Sequence, residues 1–133
     1  MKLQKKFCTK FPSWDSLLEN FNKSVVEKKD RIFKNNSFLA SPNAIIIPEV
    51  KKLASEIGAK DAHLYMSFLP EAEGLGRHKD DMDVGFWQVK GKTLWKYEGE
   101  SVILSEGDYL FIPKQTYHEA IGLSVRAGIS FGF

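Results

Sequence analysis

From Ala62 to Phe133 the sequence is a succession of short segments in which apolar and polar residues alternate, each ended by glycine, aspartate or proline. Successive side chains of an extended strand point to opposite faces, so period-two alternation marks a strand with two different environments. His63, Tyr65 and Ser67 alternate with Leu64, Met66 and Phe68. One face is apolar; the other, aromatic and polar, suits either a barrel lumen or the wet face of an open sheet. Further runs at 84–89, 93–97, 101–104, 109–112, 117–121 and 125–133 are separated by Lys90-Gly91, Glu98-Gly99-Glu100, Ser105-Glu106-Gly107-Asp108 and Pro113. These turns predict hairpins that follow one another, and many short strands of this kind favour a small β-barrel or sandwich.

The N-terminal part reads differently. Ser13 is placed to cap a helix in which Trp14, Leu17, Leu18, Phe21 and Val25 form one stripe. The polar run 28–37 reads as a loop or fraying helix end, and Ser41-Pro42-Asn43 as a turn. Ala44 to Ile47 is too short a run to decide between strand and helix. Pro48 suits the first position of a second helix, Val50, Leu53, Ala54 and Ile57 share its face, and Gly58 suits a left-handed C-terminal cap. At 133 residues and 43% hydrophobic content, the chain is expected to form one domain: a helical part over 1–61 packed outside a barrel core over 62–133.

A net charge of +2 provides no electrostatic argument for nucleic acid, and the cluster Lys2, Lys5, Lys6 and Lys10 reads as a solvated end. Cys8 is the single cysteine and cannot close an intramolecular disulfide. The first residues lack a signal-peptide apolar run, and no apolar stretch approaches the roughly 20 residues of a membrane span. A soluble, cytoplasmic protein is the expectation; an exposed barrel edge offers a surface for a homodimer.

The chemistry-bearing residues lie in Gly74 to Asp83 and around His118. On an extended strand, His78 and Asp80 point to the same side while Lys79 points away. If a neighbouring strand supplies His118, two imidazoles and one carboxylate make a face that suits non-haem Fe(II) and leaves coordination positions open. Asp81 and Asp83 read as solvated loop residues, His63 as structural. Pro70 to Arg77, with Gly74 and Gly76, reads as a flexible connection into the site.

The combination of His78-x-Asp80, Gln88-x-x-Gly91, Gly107-Asp108 followed by Pro113 and His118, and the terminal Gly128-Ile129-Ser130-Phe131 resembles the cupin-like, JmjC-type branch of the 2-oxoglutarate-dependent oxygenases over roughly residues 62 to 133. The resemblance implies a double-stranded β-helix, a jelly-roll barrel, with the metal at one mouth. It further implies that His78, Asp80 and His118 ligate Fe(II), and that 2-oxoglutarate and O2 occupy the remaining positions in a hydroxylation that yields succinate and CO2.

JmjC-type relatives generally carry Lys or Arg two residues after the position of Gly91, to pair with the distal carboxylate of 2-oxoglutarate. Thr93 stands there, and Lys92 is one residue off, which puts it on the opposite face unless a bulge intervenes. Other 2-oxoglutarate oxygenases use an Arg on the last barrel strand, and Arg126 lies at the corresponding distance from His118. Arg126 shares its strand phase with Gly128, Ser130 and Gly132, small residues that leave room for a ligand. Arg126 or Lys92 is therefore the candidate anchor, with the hydroxyls of Tyr65 and Thr93 completing the carboxylate site. Phe86, Trp87, Trp95 and Phe111 read as core or wall. Substrate class stays open between a protein side chain and a small molecule. Two other readings compete: a metal-binding cupin with 2-oxoglutarate-independent dioxygenase or isomerase activity, and a non-catalytic ligand-binding module.

Overall fold

Two segments, Val84–Lys90 and Arg126–Gly132, are buried along almost their whole length, so both faces of each must meet apolar partners. The computed structural model, which describes residues 2–27, 33–35, 38–70 and 74–133, shows what those partners are. The strands are β1 (Lys2–Gln4), β2 (Phe33–Asn35), β3 (Phe38–Ser41), β4 (Asp61–Ser67), β5 (Val84–Lys90), β6 (Thr93–Tyr97), β7 (Glu100–Leu104), β8 (Tyr109–Ile112), β9 (His118–Gly122) and β10 (Arg126–Gly132). A seven-stranded antiparallel sheet runs β1-β8-β5-β10-β4-β3-β2 and a three-stranded sheet runs β7-β6-β9. The two sheets enclose a jelly-roll barrel, the double-stranded β-helix expected from the motifs. Helices α1 (Trp14–Val26) and α2 (Pro48–Ile57) pack outside it.

Alternation along the central strands divides the core in two. Trp87 and Val89 of β5, Ala62, Leu64 and Met66 of β4, and Ala127, Ile129 and Phe131 of β10 join Leu17, Val50 and Leu53 in a core between sheet and helices. The opposite phase of the same strands faces the barrel interior, where Phe86, Trp95, Leu104, Leu110 and Ile112 form a second cluster. The aromatic-polar face of β4 is thus a lumen face, and Tyr65 packs against the inner cluster.

Several expectations require correction. Among the strands from β4 onward, β6 and β7 form a hairpin, whereas β5 and β6, β7 and β8, and β9 and β10 lie in different sheets. Turn residues mark where the chain bends, but the same chemistry serves a hairpin and a corner between sheets. The N-terminal part is not purely helical, because β1, β2 and β3 extend the larger sheet. Within 28–37, residues 33–35 form β2, paired to β3 in the register Phe33↔Ala40; 28–32 and 36–37 lie outside the described residues, as do 71–73 of the connection into His78. The undecided run is a short 3-10 turn, Ala44–Ile46.

In α1, Ser13 caps as expected by accepting from the Ser16 N–H, but Leu18 and Val25 are exposed. Its buried face is Leu17, Asn20 and Ser24. Asn20 donates to the Asn43 carbonyl at 3.0 Å, and Ser24 and Ser41 share a hydroxyl bond of 2.7 Å. This polar seam satisfies the turn after β3, and hydrophobic periodicity cannot reveal it. Helix α2 matches its expected face and ends at Gly58, whose φ of 77° needs a residue free of a Cβ.

The N-terminal lysines are exposed, as expected, but Lys5 and Lys6 also anchor a buried carboxylate. Lys5 Nζ donates to Asp108 Oδ2 at 3.0 Å, and the Lys6 and Ser105 N–H groups donate to the same carboxylate at 3.0 and 2.9 Å. Burial pushes the Asp108 carboxyl up, but these hydrogen bonds and the Lys5 charge outweigh it and hold the group below its ordinary value. Its folded pKa is depressed, so the stabilisation is present above pH about 3.9 and disappears as pH falls through the folded value. Asp108→Ala is expected to destabilise the chain at pH 7 by about 1–3 kcal/mol and to shrink its acid-induced loss of stability, as measured by urea unfolding between pH 2 and 7.

Candidate functional site

His78, Asp80 and His118 converge at one mouth of the barrel, with their ligand-competent atoms within 4.8 Å of one another. His118 opens β9. His78 is on no regular strand: it forms a single antiparallel bridge to His118, with N–H to carbonyl distances of 2.9 and 2.8 Å in the two directions. The extended strand expected for His78-x-Asp80 is therefore replaced by a loop pinned at one residue pair.

The ring nitrogens are oriented by the backbone. His78 Nδ1 lies 2.9 Å from the Gly76 carbonyl and His118 Nδ1 2.9 Å from the Thr116 carbonyl. A carbonyl only accepts, so each Nδ1 is a donor and each Nε2 is turned into the site: without a metal the His118 Nε2 donates to Asp80, and on a metal both Nε2 atoms would give their lone pairs, the arrangement typical of metal-ligating histidines. Asp80 Oδ2 lies 3.3 Å from His118 Nε2 and 3.9 Å from His78 Nε2. Both are within the about 4.2 Å that two ligands can span at roughly 2.1 Å from a common ion. The hydrogen bond to His118 holds the Asp80 carboxyl below its ordinary value, opposed by partial burial and aided by the charges of His78 and His118. His118 is 3% exposed, whereas His78 and Asp80 are one-third exposed, so the open side of the triad faces the mouth. The donor set fits a divalent transition metal with positions left open.

The loop holding Asp80 is clipped to the segment before His118. The Gln115 N–H donates to the Asp80 carbonyl at 2.8 Å, Gln115 Nε2 to Asp81 Oδ1 at 2.9 Å, and the Lys114 N–H to Asp83 Oδ1 at 2.8 Å. Gln115 adopts φ 62° to make these contacts, a left-handed conformation that side chains rarely hold. Asp81 and Asp83 were expected to be merely solvated; they tie together the two halves of the triad.

Behind the mouth lies a cavity of about 250 Å3, room for one small dicarboxylate. Tyr65, Thr93 and Arg126, three of the expected binding residues, line it. Lys92 does not: it is exposed, outside the barrel, because it precedes β6 by one residue and takes the opposite phase from Thr93. Arg126 is 7% exposed, and burial lowers its pKa. Its Nη1 donates to the carbonyls of Leu69, Pro70 and Ser124 at 3.3 to 3.4 Å. Gly122 makes room for it, since a Cβ there would run into the guanidinium. Along β9, His118 to Gly122 is roughly 13 Å at about 3.3 Å per residue, so the arginine head and the triad stand at opposite ends of the cavity.

Two lining residues received no ligand role from the sequence. Gln88 is fully buried and Trp95 is 5% exposed. Trp95 packs beside Phe86 at 4.7 Å and His118 at 5.7 Å between centroids. The available signal was a glutamine in the inward phase of an otherwise apolar strand. His63 stays apart from the triad, 3.9 Å from Asp61, as expected of a structural residue. Asp83→Ala is expected to lower Co(II) affinity about tenfold while leaving the far-ultraviolet circular dichroism unchanged, as followed by spectroscopic Co(II) titration.

No family model matches the sequence, and no curated protein matches it. Solved structures do resemble the fold. The Escherichia coli ribosomal oxygenase YcfD, in complex with cobalt and 2-oxoglutarate, superposes with a TM-score of 0.76 at 17% identity over 99% of this chain and 47% of that one. A cupin superfamily protein from Desulfitobacterium hafniense gives 0.57 at 13% identity over 76% and 81%. KdgF from Halomonas sp. gives 0.58 at 20% identity over 80% and 89%. The chain spans about half the length of the ribosomal oxygenase it resembles. Among the described residues no helix is long and apolar enough to cross a membrane. The fold shared with these proteins is the cupin-like double-stranded β-helix that the sequence motifs resemble, built in this chain from seven strands facing three.

Proposed function

We propose that the chain is a non-haem Fe(II)- and 2-oxoglutarate-dependent oxygenase acting as a hydroxylase. The observation that carries this reading is the pairing of a two-histidine, one-carboxylate cluster at the mouth of a small cavity with a buried arginine at its far end. When bound, Fe(II) and 2-oxoglutarate together supply the oxidising chemistry. The chain's own residues hold, orient and shield. His78 and His118 present Nε2 lone pairs fixed by their Nδ1 hydrogen bonds, and Asp80 adds the negative charge that favours a cation over a proton at the site. Arg126 takes the distal carboxylate of 2-oxoglutarate through its planar donor fork, with the Thr93 and Tyr65 hydroxyls beside it. Phe38, Phe86 and Trp95 line the cavity with apolar surface and limit water there. A protein side chain as substrate is supported by the likeness to a ribosomal oxygenase; a small molecule remains the competing class.

A second reading, a metal-binding cupin that works without 2-oxoglutarate, is favoured by one observation. Three backbone carbonyls already engage Arg126 Nη1, and Thr93 stands where JmjC-type relatives carry the basic residue. The cavity that joins the triad to Arg126 leaves the first reading the better supported. Anaerobic protein with Fe(II) should develop a weak visible charge-transfer band on addition of 2-oxoglutarate and release succinate on aeration. Arg126→Leu should weaken 2-oxoglutarate binding at least tenfold, and Lys92→Ala should leave it unchanged. Absence of both band and succinate contradicts the first reading and favours the second.

A further inference from the structure

Among the described residues, the buried side-chain polar atoms that lack a hydrogen-bond partner are Gln88 Oε1 and Trp95 Nε1. Both residues line the one cavity behind the triad. Buried polar atoms in folded proteins are almost always paired, because an unpaired one forfeits its hydration without compensation. Two orphans in one cavity are therefore read as groups waiting for a ligand.

Their chemistry says what that ligand must offer. The indole N–H only donates, and its ring packs against both Phe86 and His118, so it requires an acceptor oxygen close to the triad. Gln88 Nε2 donates to the Lys90 carbonyl at 2.9 Å; an amide flip would set two carbonyl oxygens against each other, so the orientation is fixed and the cavity sees an acceptor. Gln88 pairs across β10 with Gly128, and Trp95 across β9 with Ala120, two residues from His118. Going inward from the triad, Trp95 comes first, with Gln88, Thr93 and Arg126 farther along. A bare carboxylate satisfies Trp95, Thr93 and Arg126 but sets a lone pair against Gln88. An O–H donor satisfies Gln88.

We propose that Trp95 and Gln88 are specificity-determining residues that select a small acid by a donor–acceptor pair. Trp95 Nε1 donates to a carboxylate or keto oxygen of the acid, and Gln88 Oε1 accepts from an O–H, which is either a hydroxyl of the acid or a water bound with it. The inference deepens the reading of the cavity as a site for an acid of the 2-oxoglutarate class and rests on it.

Isothermal titration calorimetry of the Co(II)-loaded full chain under argon, with 2-oxoglutarate and separately with 4-hydroxy-2-oxoglutarate, whose hydroxyl lies next to the distal carboxylate and so at the Gln88 end, tests the assignment. Trp95→Phe, which keeps an aromatic ring and removes the donor, should weaken both acids about tenfold. Gln88→Met, which keeps the length and removes the acceptor, should weaken 4-hydroxy-2-oxoglutarate by a similar factor. Co(II) affinity should stay within twofold in both variants, which separates a ligand contact from a general loss of structure. If Gln88→Met also weakens 2-oxoglutarate, the O–H belongs to a water carried with the acid; if it does not, the acid's own hydroxyl supplies it. Either result sustains the proposal. Either variant binding both acids within twofold of the wild type overturns it while leaving the 2-oxoglutarate reading intact. Wild-type binding of 4-hydroxy-2-oxoglutarate alone, lost in the variants, overturns that reading and sustains this one. Binding of neither acid overturns both. If Trp95→Phe fails to fold, Gln88→Met together with Gln88→Glu, which sets a carboxylate against the anion, decides the matter by the same criteria.

Discussion

His78 and His118 exchange both of their backbone hydrogen bonds, and this single bridge is what makes a site out of two distant pieces of chain. It fixes the two imidazoles with centroids 4.4 Å apart and brings the Asp80 loop against the turn before β9. The clip through Gln115, Asp81 and Asp83 then removes the remaining freedom of that loop. Without the bridge, His78-x-Asp80 is a short polar loop with no reason to face inward. With it, three ligand atoms share one point while the open side still faces solvent.

The same division of labour runs through the larger sheet. One phase of β4, β5 and β10 is committed to the helices, where it forms a continuous apolar core. The other phase is thereby released to line a cavity, because the fold does not depend on filling it. Gly128 illustrates the consequence: a Cβ there would collide with the Phe86 ring, so the small residue lets an aromatic wall close on the cavity. Unpartnered Gln88 and Trp95 atoms and a buried Arg126 are tolerable in such an interior because the outer core provides the stability they cost.

Much of this was legible in the sequence for a physical reason. Alternation and turn residues report strands directly, and His78-x-Asp80 with a later His118 is a donor set with few other uses when it accompanies the Gly107-Asp108 and Pro113 pattern. Strand phase also separated Thr93 from Lys92 and grouped Arg126 with Gly128 and Ser130. What stayed hidden depends on long-range pairing. Nothing local in Lys2–Gln4 or Phe33–Asn35 announces that they extend a sheet whose other members lie far along the chain. Turn chemistry at Lys90-Gly91 could not say that β6 leaves the sheet of β5. Asn20 and Ser24 look like solvent-facing helix positions until the turn they satisfy is in place, and Asp83 looks like a loop carboxylate until Lys114 meets it.

The central claim is that His78, Asp80 and His118 bind one divalent metal at the mouth of the barrel. Crystals grown with Co(II) and measured at the cobalt absorption edge test it most directly. The account predicts a single anomalous peak per chain, about 2.1 Å from His78 Nε2, His118 Nε2 and Asp80 Oδ2, with its remaining positions turned toward the cavity. No peak there, or a peak held instead by Asp81 and Asp83, would contradict it.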